Sequence, residues 1–236
     1  MKRAIDYSIV FPVMNQQDHI EKVIREYHSA LTKQGYSFEL IAVVNGTHDN
    51  SFAICKKVAK ELPNVHAYEL KAGGYGLGIL HGMKHSSGKY ICYLNCARIK
   101  SQDLARALKQ FQKNPDHVVH GVRIQRENAS RSIGSLVYNN TCRFLFSITA
   151  RDINGNPNIF SRKNAEKLAL SFTDSMIDLQ LLDNANRLKI PVTELEINDY
   201  SRHGGISTSN FKTIFRLMRE VFKYWINTRL FYKNHL

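Results

Sequence analysis

Gly88-Lys89-Tyr90-Ile91-Cys92-Tyr93-Leu94-Asn95-Cys96-Ala97-Arg98 is the stretch on which the fold turns. A glycine opens a short apolar run, and a polar break closes it. A run this short, bounded this way, predicts a buried strand. In an open α/β sheet the ligand crevice lies outside the carboxyl ends of the strands. Asn95, Cys96, Ala97 and Arg98 therefore stand at the mouth of a site.

Working outward, Tyr7–Val13, residues 38–44 and Val65–Leu70 read as three further apolar strands. Helical spacing separates them: Ile20, Val23, Ile24, Tyr27 and Leu31, then Phe52, Cys55, Val58 and Leu62. Leu104, Leu108 and Phe111 repeat the pattern after the central strand, and Asp18 and Ser101 stand where helix caps are expected. Gly73, Gly74, Gly76 and Gly78 predict a flexible loop feeding a helix over 77–85. The alternation predicts an α/β fold: an open, mostly parallel sheet flanked by helices on both faces.

The second half is less regular. Residues 117–124 read as a strand, and 133–148 as a helix with Leu136, Val137, Asn140, Phe144 and Leu145 along one side. Residues 152–160 read as an extended or turn segment. Helices over 163–170 and 177–188, a strand at Val192–Ile197 and a loop at 202–207 follow. No repeat or low-complexity segment interrupts the chain. The expected organisation is a body over 1–210 and a basic amphipathic C-terminal helix over 211–236.

The 236 residues are 43% hydrophobic, enough to bury a full core. They carry 33 Lys+Arg against 20 Asp+Glu, a formal net charge of +13. That balance calls for an anionic partner: nucleic acid, a phosphorylated substrate or a membrane surface. The basic residues are spaced, with no zinc-finger or RRM signature, which argues against nucleic acid. Four cysteines without C-x-x-C spacing argue against a zinc site or a disulfide framework and suit a reducing cytoplasm. No apolar run is long enough to span a bilayer or form a signal sequence, so a soluble or peripheral cytoplasmic protein is expected. In the C-terminal segment Phe211, Phe215, Met218, Phe222 and Trp225 recur at helical spacing. Lys212, Arg216, Arg219, Lys223, Arg229 and Lys233 surround them against a single acid, Glu220. An interfacial membrane helix has this pattern; so does a terminal helix packed on the core.

Several segments together carry a family resemblance. Ser8-Ile-Val-Phe-Pro-Val-Met-Asn15 and Phe38-Glu-Leu-Ile-Ala-Val-Val-Asn-Gly-Thr-His-Asp49 resemble the first two strands of family 2 glycosyltransferases. Gly76-x-Gly78, Gly82 and Gly88-Lys-Tyr90 resemble their glycine loop and central strand. Asp152-Ile-Asn-Gly-Asn-Pro-Asn-Ile-Phe160, Ile177-Asp-Leu-Gln-Leu-Leu182 and Arg202-His-Gly-Gly-Ile-Ser207 resemble later segments of the dolichyl-phosphate mannose synthase-like branch. The ordered set covers most of residues 5–210. By contrast no G-x-G-x-x-G follows the first strand, so a dinucleotide-binding dehydrogenase does not fit.

The resemblance implies a GT-A fold with a Rossmann-like sheet and transfer of one sugar from a nucleotide-diphosphate sugar. It implies a polyprenyl or dolichyl phosphate acceptor on the cytoplasmic leaflet of a membrane; the basic charge and the C-terminal helix, read independently, suit an anionic membrane surface. By resemblance, Pro12, Met14, Gln16, Val44, Asn45 and Asn95 fall on the donor side. Arg123, Arg131 and Ser135 fall where the branch holds the lipid phosphate, and Arg98, Arg131 and Arg202 are the candidate catalytic cations. Mg or Mn is usual in the family, held by an Asp-X-Asp at the end of the central strand. Here that triplet is Asn95-Cys96-Ala97, and Gln16 and Asn45 likewise replace family acids. No metal or other cofactor is therefore expected. Two readings follow: an enzyme that puts Arg or Lys where relatives use a cation, or an inactive relative that still binds nucleotide or lipid phosphate.

Overall fold

The computed structural model describes residues 4–124, 129–197 and 211–231, with the side chains of 129–133, 211–216 and 230–231 left aside. Seven strands form one sheet: β1 (Tyr7–Val13), β2 (Phe38–Asn45), β3 (Val65–Leu70), β4 (Tyr90–Tyr93), β5 (Val118–Arg123), β6 (Asn158–Ser161) and β7 (Val192–Ile197), in the order β3-β2-β1-β4-β6-β5-β7. β1, β2, β3 and β4 run parallel, as do β5 and β7. β6 runs antiparallel to both neighbours, with Tyr93 opposite Asn158 and Val119 opposite Ile159.

The helices are α1 (Ile20–Lys33), α2 (Ser51–Glu61), α3 (Tyr75–Lys84), α4 (Ser101–Lys113), α5 (Ala129–Phe146), α6 (Arg162–Leu168), α7 (Met176–Arg187) and α8 (Phe211–Ile226). Strand residues alternate between the sheet's faces. Ile9, Phe11, Leu40, Cys92 and Leu94 meet the apolar stripes of α1 and α4 in one core layer. Val10, Ile41, Ile91, Tyr93 and Phe160 meet Ile79, Ile177 and Leu181 in the other. A third cluster joins α5, α7 and α8 through Tyr138, Cys142, Phe146, Leu179, Leu182 and Val221.

Three local expectations change. His19, not Asp18, takes the N-cap position of α1 without a side-chain cap bond, and Asp18 pairs with the His19 ring instead. Ser101 is the first residue of α4 rather than its cap. The glycines after Gly74 lie inside α3, not in a flexible loop. They are there for close approach: a Cβ on Gly82 would lie 2.3 Å from Cγ1 of Val10, and one on Gly78 would lie 2.9 Å from Cβ of Pro12. Helix propensity is given up so that α3 can settle on β1.

Candidate functional site

In this strand order the chain reverses its direction of travel between β1 and β4. That pair is the topological switch point, where the crevice of such a sheet opens. Residues leaving β1, β2 and β4 line it. The two loops after β1 and β2 are laced together: Asn15 N–H donates to Thr47 Oγ1 (3.2 Å), Gln17 N–H to Asp49 Oδ2 (3.1 Å), and His48 N–H to Asn15 Oδ1 (3.0 Å). Asp49 also accepts from Ser51 N–H at the start of α2 (2.9 Å). Partial burial opposes ionisation of Asp49, but the bonds from Ser51 and Gln17 outweigh it and lower its pKa.

Gln16 is the buried hub of the crevice. Its N–H donates to Ser51 Oγ (2.9 Å), and its Oε1 accepts the Cys96 thiol from the far side of β1 (3.2 Å). Asn45, 2% exposed, donates Nδ2 to the Gly74 carbonyl at 2.6 Å. Next to it, the Tyr75 hydroxyl donates to Asn156 Oδ1 (2.9 Å). Val44 puts its side chain into the core and Pro12 is buried against Gly78 of α3, whereas Met14 is exposed beyond β1.

The end of β4 is turned inward. Asn95 Oδ1 accepts from Ala97 N–H at 3.1 Å, and the Asn95 carbonyl accepts from the N–H groups of Arg98 and Ile99. Cys96 and Ala97 are buried. A divalent cation of this chemistry needs several oxygen ligands, usually carboxylates. The thiol of Cys96 is spent on Gln16 and Pro12, the Asn95 oxygen on its own turn, and Ala97 has none to offer. These residues do not fit a Mg or Mn ion. Among the described residues no group of three or more His, Cys, Asp or Glu could hold one. Arg98 and Lys100 are half-buried just beyond, where they add positive charge.

A second set of polar residues covers the β4–β6–β5 side. Arg123, at the end of β5, forms an ion pair with buried Asp152 through Nε and Nη2. The ring nitrogens of buried His120 lie 2.6 Å from Asn158 Oδ1 and 2.6 Å from the Asp152 carbonyl oxygen. Asp178, at the start of α7, accepts from the Tyr93 hydroxyl at 2.9 Å. Burial pushes its carboxyl up to about 8; the Tyr93 bond and the charge of Arg123 pull the other way without prevailing. Burial likewise raises the Tyr93 and Tyr138 phenols well above their ordinary value. The Tyr138 hydroxyl and Asn154 Oδ1 are buried with no hydrogen-bond partner among the described residues.

Of the sequence candidates, Pro12, Met14, Gln16, Val44, Asn45, Asn95 and Arg98 therefore cluster at the ends of β1, β2 and β4. Arg123 ends β5, Arg131 lies in the first turn of α5, and Ser135 is half-buried one turn on. Arg202 lies outside the described residues. Sequence reading missed Tyr93, His120, Asn158 and Asp178 as a connected group. The available signal was polar residues inside apolar runs, such as His120 in Val118-Val-His-Gly-Val122 and Asp178 between Ile177 and Leu179. A buried polar group must find a partner.

Comparison with known proteins fits this layout. The profile of Glycosyl transferase family 2 matches residues 8–168. The chain is 26% identical over 128 residues to YkcC of Bacillus subtilis, an uncharacterised glycosyltransferase, covering 54% of this chain and 40% of that one. It is 24% identical over 140 residues to a dolichyl-phosphate β-glucosyltransferase of Trichomonas vaginalis, covering 55% and 43%. To the undecaprenyl-phosphate 4-deoxy-4-formamido-L-arabinose transferase of Edwardsiella ictaluri it is 25% identical over 143 residues, covering 57% and 44%. The chain thus spans less than half the length of these relatives. Glucosyl-3-phosphoglycerate synthase of Mycobacterium tuberculosis, solved with Mn²⁺, UDP and phosphoglyceric acid, superposes with a TM-score of 0.73 at 15% identity, covering 94% of this chain and 78% of that one. At that identity the likeness speaks for the fold. With the profile running from β1 through α6 over the crevice just described, the chain belongs to glycosyl transferase family 2.

Proposed function

We propose that this chain transfers a sugar from a nucleotide-diphosphate sugar to a polyprenyl phosphate, peripherally bound on the cytoplasmic face of a membrane, with cationic side chains taking the part of the family's metal ion. The observation that carries this reading is the chemistry of the switch point. Gln16, Asn45 and Asn95 are neutral where the resemblance expects acids, and Arg98 and Lys100 follow at once. An acceptor phosphate is already an anionic nucleophile and needs no strong base. The difficulty is bringing it to the donor diphosphate: two unit charges about 4 Å apart repel by about 4 kcal/mol at an effective dielectric near 20. Arg98 and, by resemblance, Arg202 on the donor side, and Arg131 and Ser135 on the acceptor side, answer that repulsion and stabilise the departing diphosphate; Arg123, named with them by resemblance, has its charge matched by Asp152. The lipid acceptor follows from the polyprenyl- and dolichyl-phosphate relatives and the basic charge. Among the described residues no helix is long and apolar enough to cross a membrane.

A second reading keeps the binding and drops the chemistry. It is favoured by the way Asn45 Nδ2, Asn95 Oδ1 and the Cys96 thiol are each engaged by the chain itself, on the Gly74 carbonyl, the Ala97 N–H and Gln16 Oε1. A thermal-shift and turnover screen decides between them, using UDP- and GDP-sugars with polyprenyl phosphate, with Mn²⁺ or with EDTA. Turnover establishes the enzyme. Stabilisation by nucleotide sugar or lipid phosphate without turnover establishes the binding protein.

A further inference from the structure

We propose that the outer face of α5 is a docking surface for an anionic lipid bilayer; this rests on the reading above that the acceptor is a membrane lipid. The helix carries two apolar stripes on opposite sides. Tyr138, Cys142 and Phe146 face the third core cluster. Leu136, Val137 and Phe144 face solvent, and they are 60%, 52% and 85% exposed. Lone exposed apolar residues are ordinary, but a solvent-facing stripe on one helix is not. The neighbouring α8 leaves apolar side chains of its own in solvent. α8 is pinned to α5 by the stacked rings of Phe146 and Tyr224 (5.3 Å between centroids) and by buried Val221. Its Phe222 and Ile226 are left in solvent.

Charge selects the occupant. Ala129–Phe146 contains Arg131 and Arg143 and no acid. Exposed Arg143 sits beside Phe144, and exposed Arg219 and Lys223 flank Phe222. The one acid of α8, Glu220, is already bonded to Arg219 and Lys223. An apolar stripe rimmed by cations fits a bilayer with anionic headgroups. A second copy of the chain fits poorly, because a two-fold interface sets the same patch against itself and would bring these cations together.

The test is partition of the full chain onto vesicles of phosphatidylcholine with and without phosphatidylglycerol, by co-sedimentation. Phe144→Ser, and Leu136→Ser with Val137→Ser, should each weaken binding about tenfold or more, since each removes large apolar surface from the contact. Arg143→Glu should weaken binding only to the anionic vesicles, and added salt should do the same. Melting temperature and UDP affinity should stay at wild-type values in all three, because none of these side chains is buried or near the switch point. Wild-type partition by Phe144→Ser would overturn the proposal. So would light scattering that finds a wild-type dimer split by that substitution. Transfer to detergent-solubilised polyprenyl phosphate bypasses the bilayer: its absence in wild type would count against the enzymatic reading alone, while intact transfer with unchanged vesicle binding in the variants would count against the docking surface alone.

Discussion

The thiol of Cys96 lies 3.2 Å from Oε1 of Gln16, so the end of β4 is bonded to the end of β1 across the switch point itself. In a metal-dependent relative the residues at this strand end would face a cation. Here they face each other. Transfer should therefore persist in EDTA and show no gain from added Mn²⁺, measured as sugar passed to polyprenyl phosphate in each condition. Activity abolished by EDTA and restored by Mn²⁺ would show that ligands are recruited from elsewhere.

Restoring a family acid should harm this chain. Asn45 donates Nδ2 to the Gly74 carbonyl at 2.6 Å from a buried position. Asn45→Asp replaces that donor with an oxygen facing an oxygen. The expected loss is about 1–3 kcal/mol, the cost of an unsatisfied buried polar group. Equilibrium denaturation reads it directly, and unchanged stability would mean the Gly74 loop relaxes.

Asp178 gives a pH dependence with a definite sign. Its carboxyl is raised from 3.8 to about 8 in the folded chain, first by burial. Between those values the folded protein holds a proton that the unfolded chain has released. Stability from this group is thus full below about pH 4 and is lost as pH rises to about 8. Asp178→Asn keeps the shape and removes the titration. Its stability relative to wild type should therefore climb across that window, by about 1.4 kcal/mol for each pH unit crossed. Parallel stability profiles for the two proteins would contradict this.

Two arginines assigned to the acceptor should behave differently when removed. Arg123 neutralises buried Asp152, so Arg123→Ala strands a carboxylate and should cost about 3 kcal/mol of stability whatever its effect on transfer. For Arg131→Ala the expectation is a loss of tenfold or more in transfer to lipid phosphate, from one charge-assisted contact of about 1.5–3 kcal/mol, with UDP affinity unchanged in calorimetry. An equal loss of UDP affinity would move Arg131 to the donor side.

The first half of the chain was legible because its strands are apolar throughout and its helices carry one stripe each. β1 and β3 begin and end where the pattern says, and the inward faces of α1 and α4 are the predicted ones. α5 was harder for a physical reason. It has two apolar stripes, and periodicity alone cannot say which one finds a core; Leu136, Val137 and Phe144 read as a coherent face and turn out to be the outer one. β6 escaped because it has only four residues and opens on Asn158, so nothing in 152–160 alternates like a strand. The His120, Asn158, Asp178 and Tyr93 group escaped because its members are scattered from 93 to 178, and only the sheet order brings them together.

The reversed strand β6 has a consequence for how the two halves of the site are held. Parallel strands reach the crevice with their exits, but β6 reaches it with its entrance, so the wall on its side is the 152–157 segment arriving at the sheet. β6 pairs with β4, about seventy residues earlier in the chain, and with β5, and its ladder to β5 is short. That ladder holds two residue pairs, Val119 with Ile159 and His120 with Asn158, so few backbone bonds tie β6 to this flank. Small openings of the native state should accordingly lift the β6 wall while β1, β2 and β3 stay shut. Amide exchange at Ile159 and Phe160 should run ahead of that at Ile9 and Ile41, so that, under the function proposed above, the side given to the acceptor opens while the side given to the donor stays closed.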